Sequence, residues 1–79
     1  MVKTYSIKRG SRTYSVETKD PEWFRGVCVV NYTWSSRLNG TLLRATGKYH
    51  LEHYPSNEEM QDILREAIGR DLSILLRED

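Results

Sequence analysis

The dipeptide Asn39-Gly40 is the feature that most constrains how this 79-residue chain folds. Both central residues of a type I′ hairpin turn need positive φ, and Asn-Gly is a preferred solution. Reflecting the sequence about it pairs Leu38 with Thr41, Ser36 with Leu43, Trp34 with Ala45, Tyr32 with Gly47, Val30 with Tyr49 and Cys28 with Leu51 on one face. The other face receives Arg37–Leu42, Ser35–Arg44, Thr33–Thr46, Asn31–Lys48 and Val29–His50, and is nearly all polar. A one-sided apolar pattern fixes register, because a slip of one residue sends every side chain to the wrong face.

A second reflection, about Gly10-Ser11, suits a II′ turn. It pairs Ile7 with Tyr14 and Tyr5 with Val16, and puts Thr4–Glu17, Ser6–Ser15 and Lys8–Thr13 on the opposite side. Between the hairpins, Asp20-Pro21 followed by Gly26 reads as the N-cap, first position and end of a single helical turn. Ser56 and Glu59 form a capping box. Met60, Ile63, Leu64, Ala67, Ile68, Leu72 and Leu75 then follow helical spacing. Gly69 is a candidate helix stop, with residues 72–76 as a short fifth strand. Asp71 inside the apolar stripe favours a break, whereas the period kept by Leu72 and Leu75 favours one helix with a bend or a frayed end. The expected fold is α+β: a four-stranded antiparallel sheet of two hairpins, with one C-terminal helix on its apolar face, as a single ββββα domain over residues 1–79.

A chain this short needs nearly every large apolar residue in its core. Residues 1–6 hold no apolar run of signal-peptide length, and no stretch approaches a membrane span. The single cysteine excludes an internal disulfide framework, so a cytoplasmic location is expected. The formal charge of +1 conceals an asymmetry. Residues 1–50 carry nine Lys/Arg and three acids, whereas residues 51–79 carry three Lys/Arg and eight acids.

Few residues suggest reaction chemistry. His50 and His53 point to opposite faces of a strand and cannot share a metal. Cys28 falls on the buried face opposite Leu51. Glu58 and Glu59 suit the positive end of a helix dipole. No nucleophile–base pairing and no phosphate-binding glycine loop is present. The expectation is therefore a protein without catalytic residues, metal or cofactor.

Binding is the remaining class, and a protein partner leads. Trp23 and Phe24 are adjacent in an inter-hairpin turn beside Arg25, the composition of an interaction hot spot. Trp23 alternatively closes the open end of the core. Glu58, Asp62 and Glu66 offer a second protein-binding surface along the helix. Small inhibitors encoded by phages and mobile elements, such as anti-CRISPR proteins, are similar in size and plainness. The alternative is nucleic-acid binding by the outer sheet face through Lys8, Arg9, Arg12, Arg37, Arg44 and Lys48, among hydroxyl side chains. Its layout is similar to that of PUR-repeat and Whirly-type single-strand binders, a likeness carried by no motif. All five tyrosine and tryptophan positions of the hairpins map to the opposite face, leaving no base-stacking platform. An open sheet also leaves edge strands available for pairing with another chain, a homodimer among the arrangements they allow.

Overall fold

Three two-residue turns organise the sheet. The computed structural model describes residues 2–76. Its elements are β1 (Lys3–Arg9), β2 (Arg12–Thr18), β3 (Glu22–Phe24), β4 (Val27–Leu38), β5 (Thr41–Leu51) and α1 (Asn57–Leu76). The result is a curled antiparallel sheet with one helix against it, a two-layer α+β arrangement. Asn39 and Gly40 take φ of 52° and 80°, and β4 pairs with β5 from Leu38–Thr41 through Cys28–Leu51 in the expected register. The first hairpin also pairs as expected, and Gly10 takes the positive φ (65°) of a II′ turn.

The segment from Asp20 to Gly26 departs from the sequence expectation. It is not a helical turn. Glu22–Phe24 form the short strand β3, and Arg25-Gly26 make a third hairpin turn, with φ of 52° and 80°. These values reproduce those of Asn39-Gly40. Asp20-Pro21 instead interrupts one long edge. β2 and β3 both pair with the same side of β4, Thr18 opposite Tyr32 and Glu22 opposite Val29. Lys19, Asp20 and Pro21 thus span the gap that Val30 and Asn31 span on β4. One extra residue is the signature of a β-bulge, where a proline without an N–H is tolerated. The Lys19 N–H still reaches the Asn31 carbonyl at 3.2 Å.

The core lies between the sheet and the helix. Ile7, Tyr14, Val16, Val30, Tyr32 and Trp34 from the strands meet Met60, Leu64, Ala67, Ile68 and Leu72 from α1. Tyr14 and Trp34 pack edge to face at 5.5 Å. The helix runs alongside β1 in the same direction. Lys3 Nζ donates to Asn57 Oδ1 (3.0 Å) near one end, and Arg65 Nε donates to the Lys8 carbonyl (3.2 Å) further along. Helical hydrogen bonding continues to Leu76, so Gly69 does not stop it and no strand forms over 72–76. Gly69 instead lies under the Arg9 guanidinium: a Cβ there would fall 2.7 Å from it. Leu75, expected in the apolar stripe, is exposed, and Ile63 is half-buried.

Asp71 sits in the helical stripe because the sheet presents donors to it. Trp34 Nε1 donates to Asp71 Oδ2 at 2.8 Å, and the Tyr32 hydroxyl donates to the same oxygen at 3.1 Å. Arg70 adds a longer contact to that hydroxyl, at 3.4 Å. Burial raises the Tyr32 phenol above its ordinary 10.0; the Arg70 hydrogen bond opposes this and the Asp71 carboxylate reinforces it. Tyr32 therefore stays a donor. Its ring needs Gly47 opposite it, where a Cβ would fall 2.5 Å from the hydroxyl oxygen. Asp71→Ala strands the fully buried indole N–H and is expected to lower unfolding free energy by about 2 kcal/mol in urea titration. Asp71→Asn keeps an acceptor and should lose less; an unchanged midpoint for Asp71→Ala would show the contact to be idle.

The helix starts as its capping box predicts. Glu59 N–H donates to Ser56 Oγ (3.2 Å), and Ser56 N–H donates to Glu59 Oε1 (3.4 Å). Glu59 Oε2 also lies 2.7 Å from His53 Nε2. The His53 hydrogen bond first, and the Ser56 backbone second, hold the Glu59 carboxyl below its ordinary 4.5. A lowered carboxyl stabilises the fold above its unfolded value, and that stabilisation fades as pH falls through the folded one. Glu59→Gln should therefore flatten the stability profile below about pH 4.5, as measured by thermal melts across pH. An acid limb as steep as that of the parent chain would remove this role.

Candidate functional site

The bulge between β2 and β3 decides which way the aromatic tip points. In β2 the even-numbered residues Tyr14, Val16 and Thr18 face the helix. One inserted residue reverses that parity. In β3 it is Trp23, opposite buried Cys28, that takes the helix side, and Phe24, opposite Val27, that takes the outer side. Both remain open: Trp23 is 50% exposed and Phe24 65%. Trp23 does not plug the core. It packs edge-on against Tyr54, at 5.6 Å between ring centroids, and the Tyr54 hydroxyl donates to the Pro21 carbonyl at 3.1 Å. Tyr54 is itself exposed and belongs to this cluster. No periodic signal marks it in the sequence, because it lies in the segment that joins β5 to α1.

Arg25 occupies the apex with a left-handed backbone, which an L-residue with a Cβ adopts at a cost of roughly 1 kcal/mol. Its guanidinium lies 5.4 Å from the Phe24 ring centroid. The tip therefore presents an indole on one side, a phenyl ring on the other and a cation at the end.

Glu58, Asp62 and Glu66 are all exposed on α1, as expected, but they do not join the tip. Asp62 is paired with Arg65 at 3.0 Å, and Arg65 reaches the Lys8 carbonyl near the opposite end of the sheet. Arg9, Arg65 and Arg70 line the same shallow groove as Asp62 and Glu66, so this surface is of mixed sign.

The basic candidates divide between two faces. Lys8, Arg37, Arg44 and Lys48 are exposed on the outer side of the sheet. Arg9 stacks over Gly69 on the helix side, and Arg12 and Arg9 line a pocket with Tyr14, Leu72 and Leu76. The outer face carries a row running Ser6, Ser15, Ser35 and Arg44 across four strands, beside a row of Thr4, Glu17, Thr33 and Thr46. Tyr14, Tyr32 and Trp34 are buried beneath the helix, and Tyr5 and Tyr49 are half-buried with them. Phe24 is the aromatic residue on the outer side of β3, at its far end. Of the sheet's edges, that of β1 adjoins α1, whereas β5 pairs on one side alone among the described residues. Arg44 and Lys48 on β5 are the kind of charged side chains that discourage edge-to-edge pairing.

Among the described residues no cluster of His, Cys, Asp and Glu is arranged to hold a metal, and no helix is long and apolar enough to cross a membrane. Comparison with known proteins finds no matching family model, no matching curated protein and no matching solved structure.

Arg25→Asn places a residue suited to the left-handed region at the apex. Relief of backbone strain outweighs loss of an exposed cation–π contact worth about 0.5 kcal/mol. A net gain of about 0.5 kcal/mol is expected in chemical unfolding. A loss of stability would mean that the arginine is retained for folding.

Proposed function

We propose that this chain is a non-catalytic binding module that acts by occupying a surface of another protein through the β3–β4 hairpin tip. The observation that carries this reading is the exposure of Trp23 and Phe24 on either side of an arginine held at φ 52°. Exposed aromatic rings are costly to leave in water and are the residues that dominate interface energies, with arginine beside them. A backbone strained at an exposed turn, where asparagine or glycine would relax it, points to a side chain kept for use. Tyr54 enlarges the surface; Glu58, Asp62 and Glu66 form a separate one, already partly satisfied by Arg65. Occupation without chemistry is how a small inhibitor works, and the chain belongs in that class on this reading.

The serine–arginine row favours a second reading, in which the outer sheet face follows a nucleic-acid backbone. One pull-down separates the two. Tagged protein is incubated with lysate of its source cells, with and without nuclease, alongside Trp23→Ala and Arg44→Ala variants. The tip reading expects a nuclease-resistant protein partner, lost with Trp23→Ala and kept with Arg44→Ala. Trp23→Ala should cost the fold little, because the indole is half in water. Retention of the partner by Trp23→Ala, or its loss on nuclease treatment, would defeat the tip reading.

A further inference from the structure

Trp23 and Phe24 cannot both be buried by a flat partner. They are consecutive residues of one strand and point to opposite faces of the hairpin, one toward Cys28 and the helix side, the other toward Val27 and the outer side. A planar surface laid on either face covers one ring and leaves the other in solvent. An enclosing surface covers both.

We infer that the β3–β4 hairpin is a wedge that enters a cleft of the partner protein, with apolar walls for Trp23 and Phe24 and an acidic floor for Arg25. This rests on the tip being the binding surface. The dimensions follow from sheet packing: the Phe24 wall lies roughly 10 Å from the ribbon. On the other side Tyr54 already packs against Trp23 at 5.6 Å, so that wall covers the Trp23–Tyr54 pair and the cleft is wider than about 20 Å between wall backbones. The floor follows from charge. Arg25 leads at the apex, and a guanidinium carried out of water needs a carboxylate to receive it. Its place against Phe24 inclines it to that wall. The hairpin also has the build of a wedge. β3 is three residues long, its turn is two, and the bulge that precedes it lets it pair with the end of β4 beyond the reach of β2. β5 flanks β4 as far as Cys28, so Phe24, the Arg25-Gly26 turn and Val27 form the projecting edge.

Photocrosslinking tests the enclosure. A benzophenone amino acid is placed at Trp23 in one full-length protein, at Phe24 in a second, and at Glu17, on the outer face away from the tip, in a third. Each is irradiated in nuclease-treated lysate of the source cells. The wedge expects Trp23 and Phe24 probes to label the same protein, at peptides from two walls of one cleft, while the Glu17 probe does not. Arg25→Glu added to either tip probe should reduce labelling by tenfold or more, as loss of one hot-spot charge pair would. Circular dichroism melts of each protein establish that it is folded before irradiation. Labelling from one tip position alone, with the other silent, overturns the wedge and leaves a flat protein interface. Labelling of a second copy of this chain, or labelling that survives Arg25→Glu, also overturns it. Silence at both tip positions overturns the binding reading itself.

Discussion

The carboxylate of Asp71 ties the two layers of this protein together. Most contacts between α1 and the sheet are apolar and non-directional, and packing of that kind fixes proximity more firmly than it fixes rotation. Two hydrogen bonds to a single oxygen, from Trp34 at 2.8 Å and Tyr32 at 3.1 Å, are directional. They set the rotation of the helix over β4 near its C-terminal end, while the capping box and the Lys3–Asn57 contact hold the other end. Gly47 belongs to the same device, because the Tyr32 ring occupies the volume a side chain at 47 would fill. The helix so placed covers Val30, Tyr32 and Trp34, and it leaves the whole of β3 exposed at the tip.

β4 is accordingly a strand with two tasks. Its C-terminal half, paired with β2 and roofed by α1, forms the core. Its N-terminal end pairs with β3 and carries the aromatic hairpin. The bulge at Lys19–Pro21 is the joint between them. A continuous β2–β3 strand in one register would have turned Phe24 toward the helix side and Trp23 outward. The bulge exchanges them, bringing the indole beside Tyr54 and the phenyl ring beside Val27.

The sheet was legible in the sequence because two of its turns use residues chosen by φ. Asn39-Gly40 and Gly10-Ser11 fix registers that the alternation of apolar residues then corroborates. The remaining turn, Arg25-Gly26, has the same φ values as Asn39-Gly40 but hides behind an arginine, which carries no turn preference. Asp20-Pro21 added to the concealment, since both a helix N-terminus and a bulge accept a proline without its N–H. Asp71 misled in the other direction. A carboxylate in an apolar stripe signals a helix break only if nothing opposite can donate, and its donors lie 37 and 39 residues away in sequence. The candidate tip was legible by composition, but the direction of each ring was not. Direction depends on the parity of the bulge.

Stability and binding are thereby separated along the chain. Of the residues that anchor the layers, Trp34 and Tyr32 are buried and Gly47 and Asp71 half-buried, away from the hairpin tip. Residues at the tip lie where the core does not need them, and one of them holds a backbone conformation that opposes folding. A turn selected only for folding would repeat the Asn-Gly used fourteen residues later in the same chain. The chain thus contains its own comparison: two turns of one geometry, one relaxed at the β4–β5 end and one strained at the β3–β4 end. The difference between them is the side chain of Arg25, placed between two exposed aromatic rings.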